Sequence, residues 1–417
     1  MNSKKQKIRL GDICDITSSK RIFAREYRTF GVPFYRGKEI IEKQMGKNVS
    51  TELYIDESRY NEITERFGTP QKGDILLTSV GTLGIPYVVG EERFYFKDGN
   101  LTWMRNFTGA DSRFIYYWFL SPFGKIQIDQ KSIGSTQKAL TIETLLKFEI
   151  DLPDLPTQRI IANTLFTIDK KIVINTKINR HLGQVAQTIF KSWFVDFEPF
   201  DGVMPDDWNE GTFNDLISTT LGGDWGKDLS VGNNTQEIYC IRGTDIPDVN
   251  NGNKGKLPIR YILPKNYASK KLAAGDIVVE ISVGSPTQST GRCVMISQSL
   301  LDRYDRSMVC TNFCRVIKPL VGYSVFVYFY WKYLYNQNVM FSYENGTTGI
   351  KNFDITGFLE NEPIIIPPLK IVSQFNEVIG VFIDKIFANG QENEDLANIR
   401  NTLLPRLMTD EMIKNQI

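Results

Sequence analysis

Few residues of this 417-residue chain are of a type and spacing that would make or break bonds. The single histidine, His181, lies inside a stretch of helical periodicity, which argues against histidine-based proton transfer or zinc ligation. Cys310 and Cys314 are four apart with no second ligand pair, a spacing that reads as buried structural thiols. Neither a GxxxxGK[ST] phosphate loop nor a GxGxxG turn between strand and helix is present. A nuclease-like grouping of Pro153-Asp154 with Asp169-Lys170-Lys171 fails, because residues two apart on a helix point to different sides. The Asn-Pro-Pro-aromatic type of motif that holds a flipped base is also missing. What remains is chemistry of recognition. Polar loops offer Arg36, Lys38, Thr78, Thr82, Ser135, Gln137 and Lys138 in the first half of the chain. In the second half the corresponding loops offer Arg242, Thr244, Ser285, Thr287, Gln288, Thr347 and Lys351. Arginine and lysine pair with guanine, amides with adenine, and hydroxyls with bases or phosphates. Arg36-Gly37 and Arg242-Gly243 have an equal reading as structural turns, since they occur in both halves.

Two long helices would have to position these loops. From Pro156 to Phe197, apolar residues recur in steps of three and four: Ile161, Leu165, Ile168, Ile172, Ile178, Leu182, Val185, Ile189 and Trp193. That pattern predicts one helix with a seam close to an a/d stripe, opened by Pro156. Roughly forty residues at 1.5 Å each make a rod of about 60 Å, long for one element of a compact core. A second such stretch, Pro367 to Met408, carries Ile371, Phe375, Val378 and Phe382, then Leu396, Ile399, Leu403 and Leu407. Its polar interruption ANGQENEDL (388–396), with Gly390, is expected to loosen the seam, and Pro405 to end or kink the helix.

The two halves repeat each other. Ile168-Asp169-Lys170 matches Ile383-Asp384-Lys385 at an offset of 215. Gly73-Asp74-Ile75 matches Gly275-Asp276-Ile277, and Tyr35-Arg36-Gly37 matches Ile241-Arg242-Gly243. Gly134-Ser135-Thr136 likewise matches Gly346-Thr347-Thr348. A twofold repeat of this length is no solenoid, whose periods run about 20 to 50 residues. It predicts two mixed α/β (α+β) globular domains separated by two long antiparallel helices, related by a pseudo-twofold. The boundaries fall at 1–155 (first domain), 156–198 (central helix), 199–366 (second domain) and 367–417 (second helix).

Composition fits that reading. The charged fraction of 23% and abundant aromatics argue against disorder. Five cysteines without a disulfide-like framework suit a reducing compartment. With no signal peptide and no 18-residue apolar run, a cytoplasmic protein with no membrane contact is expected. The net charge of +1 hides a local excess: residues 1–50 hold twelve Lys/Arg against five Asp/Glu.

Taken together, Leu10-Gly11-Asp12-Ile13, Gly73-Asp74-Ile75-Leu76, Gly134-Ser135-Thr136-Gln137-Lys138, IFKSWFVDFEP (189–199) and LLPRLM (403–408) resemble the specificity subunit of type I restriction–modification enzymes. The resemblance spans essentially the whole chain. It implies two target-recognition domains that read an asymmetric, bipartite site in double-stranded DNA, without catalysis of their own. It further implies docking of two modification (methyltransferase) subunits and of restriction subunits. S-adenosylmethionine, ATP and magnesium would then belong to those partners, with no cofactor and no metal in this chain. The helices would pair and dock the partners through Ile161, Leu165, Ile168, Ile172, Leu182, Ile189, Trp193, Phe375, Val378, Phe382, Leu396 and Leu403. In one departure from the pattern, the second copy opens Gly211-Thr212-Phe213-Asn214-Asp215-Leu216, without the Leu-Gly-Asp form. Two other readings compete: a non-catalytic interaction scaffold using aromatic loops such as Tyr27, Phe30 and Tyr35, and an orphan DNA-binding protein without an enzyme partner.

Overall fold

The expected mixture of short strands and packed helices is what forms, in two compact units: residues up to 173 with those from 396 onward, and residues 174–395. The computed structural model describes residues 6–46, 49–50, 52–134, 138–284, 288–346 and 349–409.

Unit 1 opens with β1 (Gln6–Arg9) and β2 (Asp15–Thr17). Next come β3 (Val32–Tyr35), α1 (Gly37–Gln44), β4 (Tyr54–Ile55) and α2 (Glu57–Phe67). The central strands are β5 (Ile75–Thr78), β6 (Pro86–Val88), β7 (Tyr95–Phe96) and β8 (Leu101–Arg105). Helices α3 (Ser112–Leu120), α4 (Pro122–Lys131) and α5 (Ile142–Leu146) precede β9 (Glu149–Leu152), which leads into α6 (Leu155–Phe194). The strands form sheets β2-β8-β5-β6, β4-β3-β7 and β1-β9. All four side chains of β5 are buried, as expected for a central strand. The Gly-Asp-Ile motif has a structural role. Asp74 accepts from the backbone of Gln71 at 2.9 Å and from the indole of Trp103 on β8 at 2.7 Å, and burial raises its pKa.

Unit 2 repeats this order. β10 (Asn209–Thr212) and β11 (Ile217–Gly222) are followed by β12 (Gln236–Ile241), α7 (Ile246–Asn250), β13 (Ile259–Ile262) and α8 (Pro264–Lys270). Then come β14 (Ile277–Glu280), β15 (Ser282–Val283), β16 (Cys293–Met295), α9 (Gln298–Leu301), β17 (Met308–Cys310) and β18 (Cys314–Pro319). α10 (Ser324–Asn336), β19 (Glu344–Asn345), β20 (Lys351–Phe353), α11 (Ile355–Asn361) and β21 (Pro363–Ile366) lead to α12 (Leu369–Met408). The sheets are β11-β18-β14-β16, β13-β12-β17, β10-β21 and a small β15-β20-β19. The first three match the unit 1 sheets strand for strand. The missing Leu-Gly-Asp form is made good locally. Asp215 accepts from the backbone of Thr212 at 2.8 Å as Asp12 does from Arg9, and Phe213 is buried where Leu10 is.

Both long helices form, but their seams differ from the one expected. Asp154 caps α6 by accepting from Thr157, and buried Gln158 ties its first turn to the start of α3 by accepting from Asp111 at 2.8 Å. In unit 1, Ile161, Ala162 and Leu165 share a core with Leu404 and Met408, and Asp169 pairs with Arg400 at 2.7 Å. Within unit 2, Asn175 meets Asn393, Asn179 meets Asn389 and Phe194 meets Phe375, so the helices run antiparallel there. Ile178 and Val185 are exposed, whereas Asn175, Asn179, Ala186, Phe190 and Phe194 are buried. In place of the expected apolar stripe, the buried positions in the middle of the helix are asparagines. Asn179 donates to Ile386 O and to Asn251 O, both at 2.9 Å, and accepts from Asn389 at 2.8 Å.

This amide layer also corrects the view that 388–396 loosens the second helix. Asn389 and Asn393 are hydrogen-bonded partners of α6, and Gly390 makes room for the backbone of Gly252. A Cβ at Gly390 would lie 1.7 Å from Gly252 O. The pairs are reciprocal within the repeat: 389 − 175 and 393 − 179 both equal 214. Pro405 does not end α12. The helix runs on to Met408, because a proline in the last turns removes one backbone bond while Leu404 and Met408 stay buried.

Candidate nucleic-acid interface

In each unit the ends of five strands converge on one rim, and the same backbone bonds build it twice. In unit 1, Lys97 N–H donates to Tyr35 O (2.8 Å), Ser79 N–H to Asn100 O (2.9 Å) and Leu140 N–H to Ser79 O (2.9 Å). In unit 2, Thr311 N–H donates to Ile241 O (3.0 Å), Ile281 N–H to Phe313 O (2.9 Å) and Phe353 N–H to Ile281 O (2.8 Å). The strand registers agree. Thr78 lies opposite Leu101, and Glu280 opposite Cys314, so Asn100 and Phe313 occupy equivalent places. By the same bonds Lys138 corresponds to Lys351, Thr78 to Glu280 and Ile85 to Arg292. Of the sequence-predicted residues that the structure describes, Arg36, Lys38, Thr78 and Lys138 in unit 1, and Arg242, Thr244, Gln288 and Lys351 in unit 2, belong to these strand ends and the loops beside them.

Their side chains are differently employed. Arg36 is tied to Glu39, which is fully buried, with Nη2–Oε1 at 2.7 Å. Burial pushes the Glu39 carboxyl up, but hydrogen bonds from Arg36 outweigh it and leave the pKa below the usual value. Arg242 does the same with Asp245, through Nε–Oδ2 at 2.9 Å and Nη2–Oδ1 at 3.0 Å. Both arginines thus close the turn that starts the next helix. Thr78 is buried, and its hydroxyl accepts from Ile85 N–H at 2.9 Å. Thr82 and Thr244 are exposed, and Lys38 is exposed with Glu42 at 3.9 Å. Lys138 is exposed and has no carboxylate partner among the described residues. Gln288 donates to Glu280 at 3.3 Å, and Lys351 pairs with Glu344 at 3.1 Å. Ser135, Gln137, Ser285, Thr287 and Thr347 lie outside the described residues.

Two carboxylates of unit 2 escaped the sequence reading. Glu280 binds Arg292 through Nε–Oε2 and Nη2–Oε1, both at 2.9 Å. Burial lowers the Arg292 pKa, but the bonds to Glu280 raise it overall. Glu344 accepts from the Thr290 backbone at 2.6 Å and from Lys351, which hold its pKa low against the opposing effect of burial. Neither residue belongs to a sequence motif, and the register that aligns Glu280 with Thr78 exists only in the sheet. Phe313, exposed on the unit 2 rim, was missed for the same reason.

The helix residues are distributed as follows. Ile161, Leu165 and Phe375 are buried, while Ile168, Ile172, Leu182, Ile189, Trp193, Phe382, Leu396 and Leu403 are half-buried. Val378 is exposed, together with Ile160, Phe166 and Val381. Burial raises the thiol pKa of Cys314 to about 12 and that of Cys310 well above its ordinary value, so both stay protonated. No helix is long and apolar enough to cross a membrane among the described residues, and no group of three or more metal-ligating side chains is found there.

Comparison with known proteins points one way. The type I restriction modification DNA specificity domain family matches residues 2–184. The MjaIX specificity subunit, a type I restriction enzyme subunit of Methanocaldococcus jannaschii, is 27% identical over 427 aligned residues, covering 93% of this chain and 88% of that one. A putative type I restriction enzyme specificity subunit of Haemophilus influenzae is 30% identical over 159 residues, 38% of each chain. Among solved structures, the type I restriction–modification S subunit of M. genitalium shares the fold. Its TM-score is 0.57 at 17% identity, covering 98% of this chain and 97% of that one.

Proposed function

Because this chain belongs to the specificity subunits of type I restriction–modification systems, we propose that it reads a bipartite DNA site, one half through each rim. The observation that carries this reading is the pair of rims itself. One backbone frame is built twice, and its outward residues differ, as expected for two readers of different half-sites. The chain performs no catalysis. It positions DNA for methyltransferase subunits, which methylate adenine using S-adenosylmethionine, and for restriction subunits that cleave with ATP and magnesium.

Docking of these partners falls to the long helices. α6 leaves Ile160 and Phe166 uncovered in unit 1, and Ile178 and Val185 in unit 2. Apolar side chains repeated along a helix suit burial against a partner protein. An open cleft of about 530 Å³ beside α6 in unit 2, lined among others by Arg180, Gln184, Lys332 and Asn336, offers polar contacts next to them.

The test is to map methylated adenines in DNA from cells expressing this chain with its modification subunits. Two short defined sequences around a fixed unread gap are the expected result. A continuous motif would mean that the rims are not independent readers. Absence of methylation with an assembled, active partner would leave an interaction scaffold as the better account.

A further inference from the structure

The loop between β17 and β18 is only three residues long, Thr311 to Phe313, and its backbone is pinned at both ends. Thr311 N–H donates to Ile241 O, Phe313 N–H to the Thr311 hydroxyl (3.1 Å) and Cys314 N–H to Thr311 O (3.0 Å). Phe313 O in turn accepts from Ile281 on β15's approach. A rigid mount of this kind leaves the side chain no route into the core, and the ring is 62% exposed. A single exposed apolar residue on a mobile surface needs no explanation. This one stands on a rim that also carries the Glu280–Arg292 and Lys351–Glu344 ion pairs, at the place where unit 1 carries the half-buried Asn100.

We propose that Phe313 is a specificity-determining contact of unit 2, packing on the C5-methyl group of a thymine in the major groove of its half-site. The assignment rests on the DNA-reading function proposed above. The chemistry follows from what the groove displays. Its base edges are hydrogen-bond donors and acceptors except for the thymine methyl, the one apolar group a bare ring can meet without stranding a polar atom. Asn100, at the equivalent place in unit 1, has an amide suited to a donor–acceptor edge instead. One frame thus presents an apolar reader in one unit and a polar reader in the other.

The experiment begins from the methylation motif of the wild-type complex and compares it with that of Phe313→Asn. The variant is expected to relax or change one A·T position in one half, leaving the other half and the gap unchanged. Duplexes in which each thymine of that half is replaced in turn by deoxyuridine, which lacks only the methyl, are then titrated against the purified complex. One replacement should weaken wild-type binding about 5-fold or more, within the usual cost of a lost base contact, and should leave Phe313→Ala unaffected. An unchanged motif in Phe313→Asn, a wild-type affinity indifferent to every deoxyuridine, or a half-site pair without any A·T position would each overturn the assignment. If Phe313→Asn abolishes methylation, its affinity for the wild-type duplex decides. Loss on that duplex with binding to unrelated DNA retained supports the contact, and undiminished affinity refutes it. Failure of the wild-type complex to yield any bipartite motif would count against the DNA-reading function and is thereby distinct.

Discussion

The rims of units 1 and 2 share a backbone and disagree about how to hold it. At the end of the central strand, unit 1 uses a neutral pair, the Thr78 hydroxyl accepting from Ile85 N–H. Unit 2 puts Glu280 and Arg292 at the same two positions, as a two-bonded ion pair whose carboxylate side chain is 7% exposed. Further along, unit 2 neutralises Lys351 with Glu344, whereas Lys138 in unit 1 is exposed with no carboxylate partner among the described residues. The frame is therefore indifferent to charge so long as every buried polar group has a partner. That indifference would let one fold carry two unrelated recognition surfaces. It also leaves Lys138 the more available of the two equivalent lysines.

The largest effect should come from breaking the unit 2 pair. Glu280→Thr leaves the largely buried Arg292 guanidinium without its carboxylate, and a loss of about 3 kcal/mol in denaturant stability is expected. Installing the unit 1 arrangement whole, Glu280→Thr with Arg292→Ile, should recover most of it. If the double variant is no more stable than the single one, the two rims are not interchangeable frames. A smaller contrast lies at the preceding glycines. A Cβ at Gly243 would sit 2.1 Å from Glu280 Oε1, while at Gly37 the nearest atom is Thr78 Cγ2 at 3.9 Å. Gly243→Ala should cost about 2 kcal/mol, against less than about 0.5 kcal/mol for Gly37→Ala. The cost at 243 should shrink in the Glu280→Thr, Arg292→Ile background, which calorimetry of the three proteins checks.

These contrasts also mark how far the sequence could be read. Strand and helix order was legible, because β5, α3 and α10 announce themselves by apolar runs between turn residues. The two long helices were legible from steps of three and four, yet their true seam was not. Asn175 and Asn179 occupy buried positions, and a search for apolar residues passes over them to the exposed Ile178. Arg36 and Arg242 were visible as a repeated motif, but only coordinates decide that each guanidinium is bound to the acid three residues on. Glu280, Glu344 and Phe313 had no local signal at all. Their significance comes from cross-strand register, which sets Glu280 opposite Cys314 and Glu344 opposite Phe353.

Acid should distinguish the units more gently. Glu39 in unit 1 and Glu344 in unit 2 both have folded pKa values held below the ordinary 4.5. A carboxyl whose pKa is depressed on folding contributes stability that is present above its unfolded value and lost as pH falls through the folded one. Both rims should therefore weaken below about pH 4.5, the ordinary glutamate value. Glu344→Gln removes that dependence from unit 2 while Glu39 retains it in unit 1. Unfolding followed by hydrogen exchange at pH 3 to 6 should show a flatter profile for β19 and β20 only. An equal change around α1 would mean that the two rims are not independently held.

The smallest effect concerns the two lysines, and it tests the claim about available charge. Lys138 and Lys351 occupy one place in the frame, so their different surroundings should separate their contributions to DNA binding. A phosphate neutralised by one side chain releases about 0.9 of a counterion, which appears as the slope of log affinity against log salt. Lys138→Ala should reduce that slope by about one and weaken binding a fewfold on any sequence, since a phosphate contact carries no base information. Lys351 is already compensated by Glu344, so its removal should leave the slope nearly unchanged and instead lower the stability of β19 and β20. Glu344→Gln would then free Lys351 and steepen the slope toward the unit 1 behaviour. Equal slopes for Lys138→Ala and Lys351→Ala would show that the ion pair opens when DNA arrives, and that charge is no basis for separating the two rims.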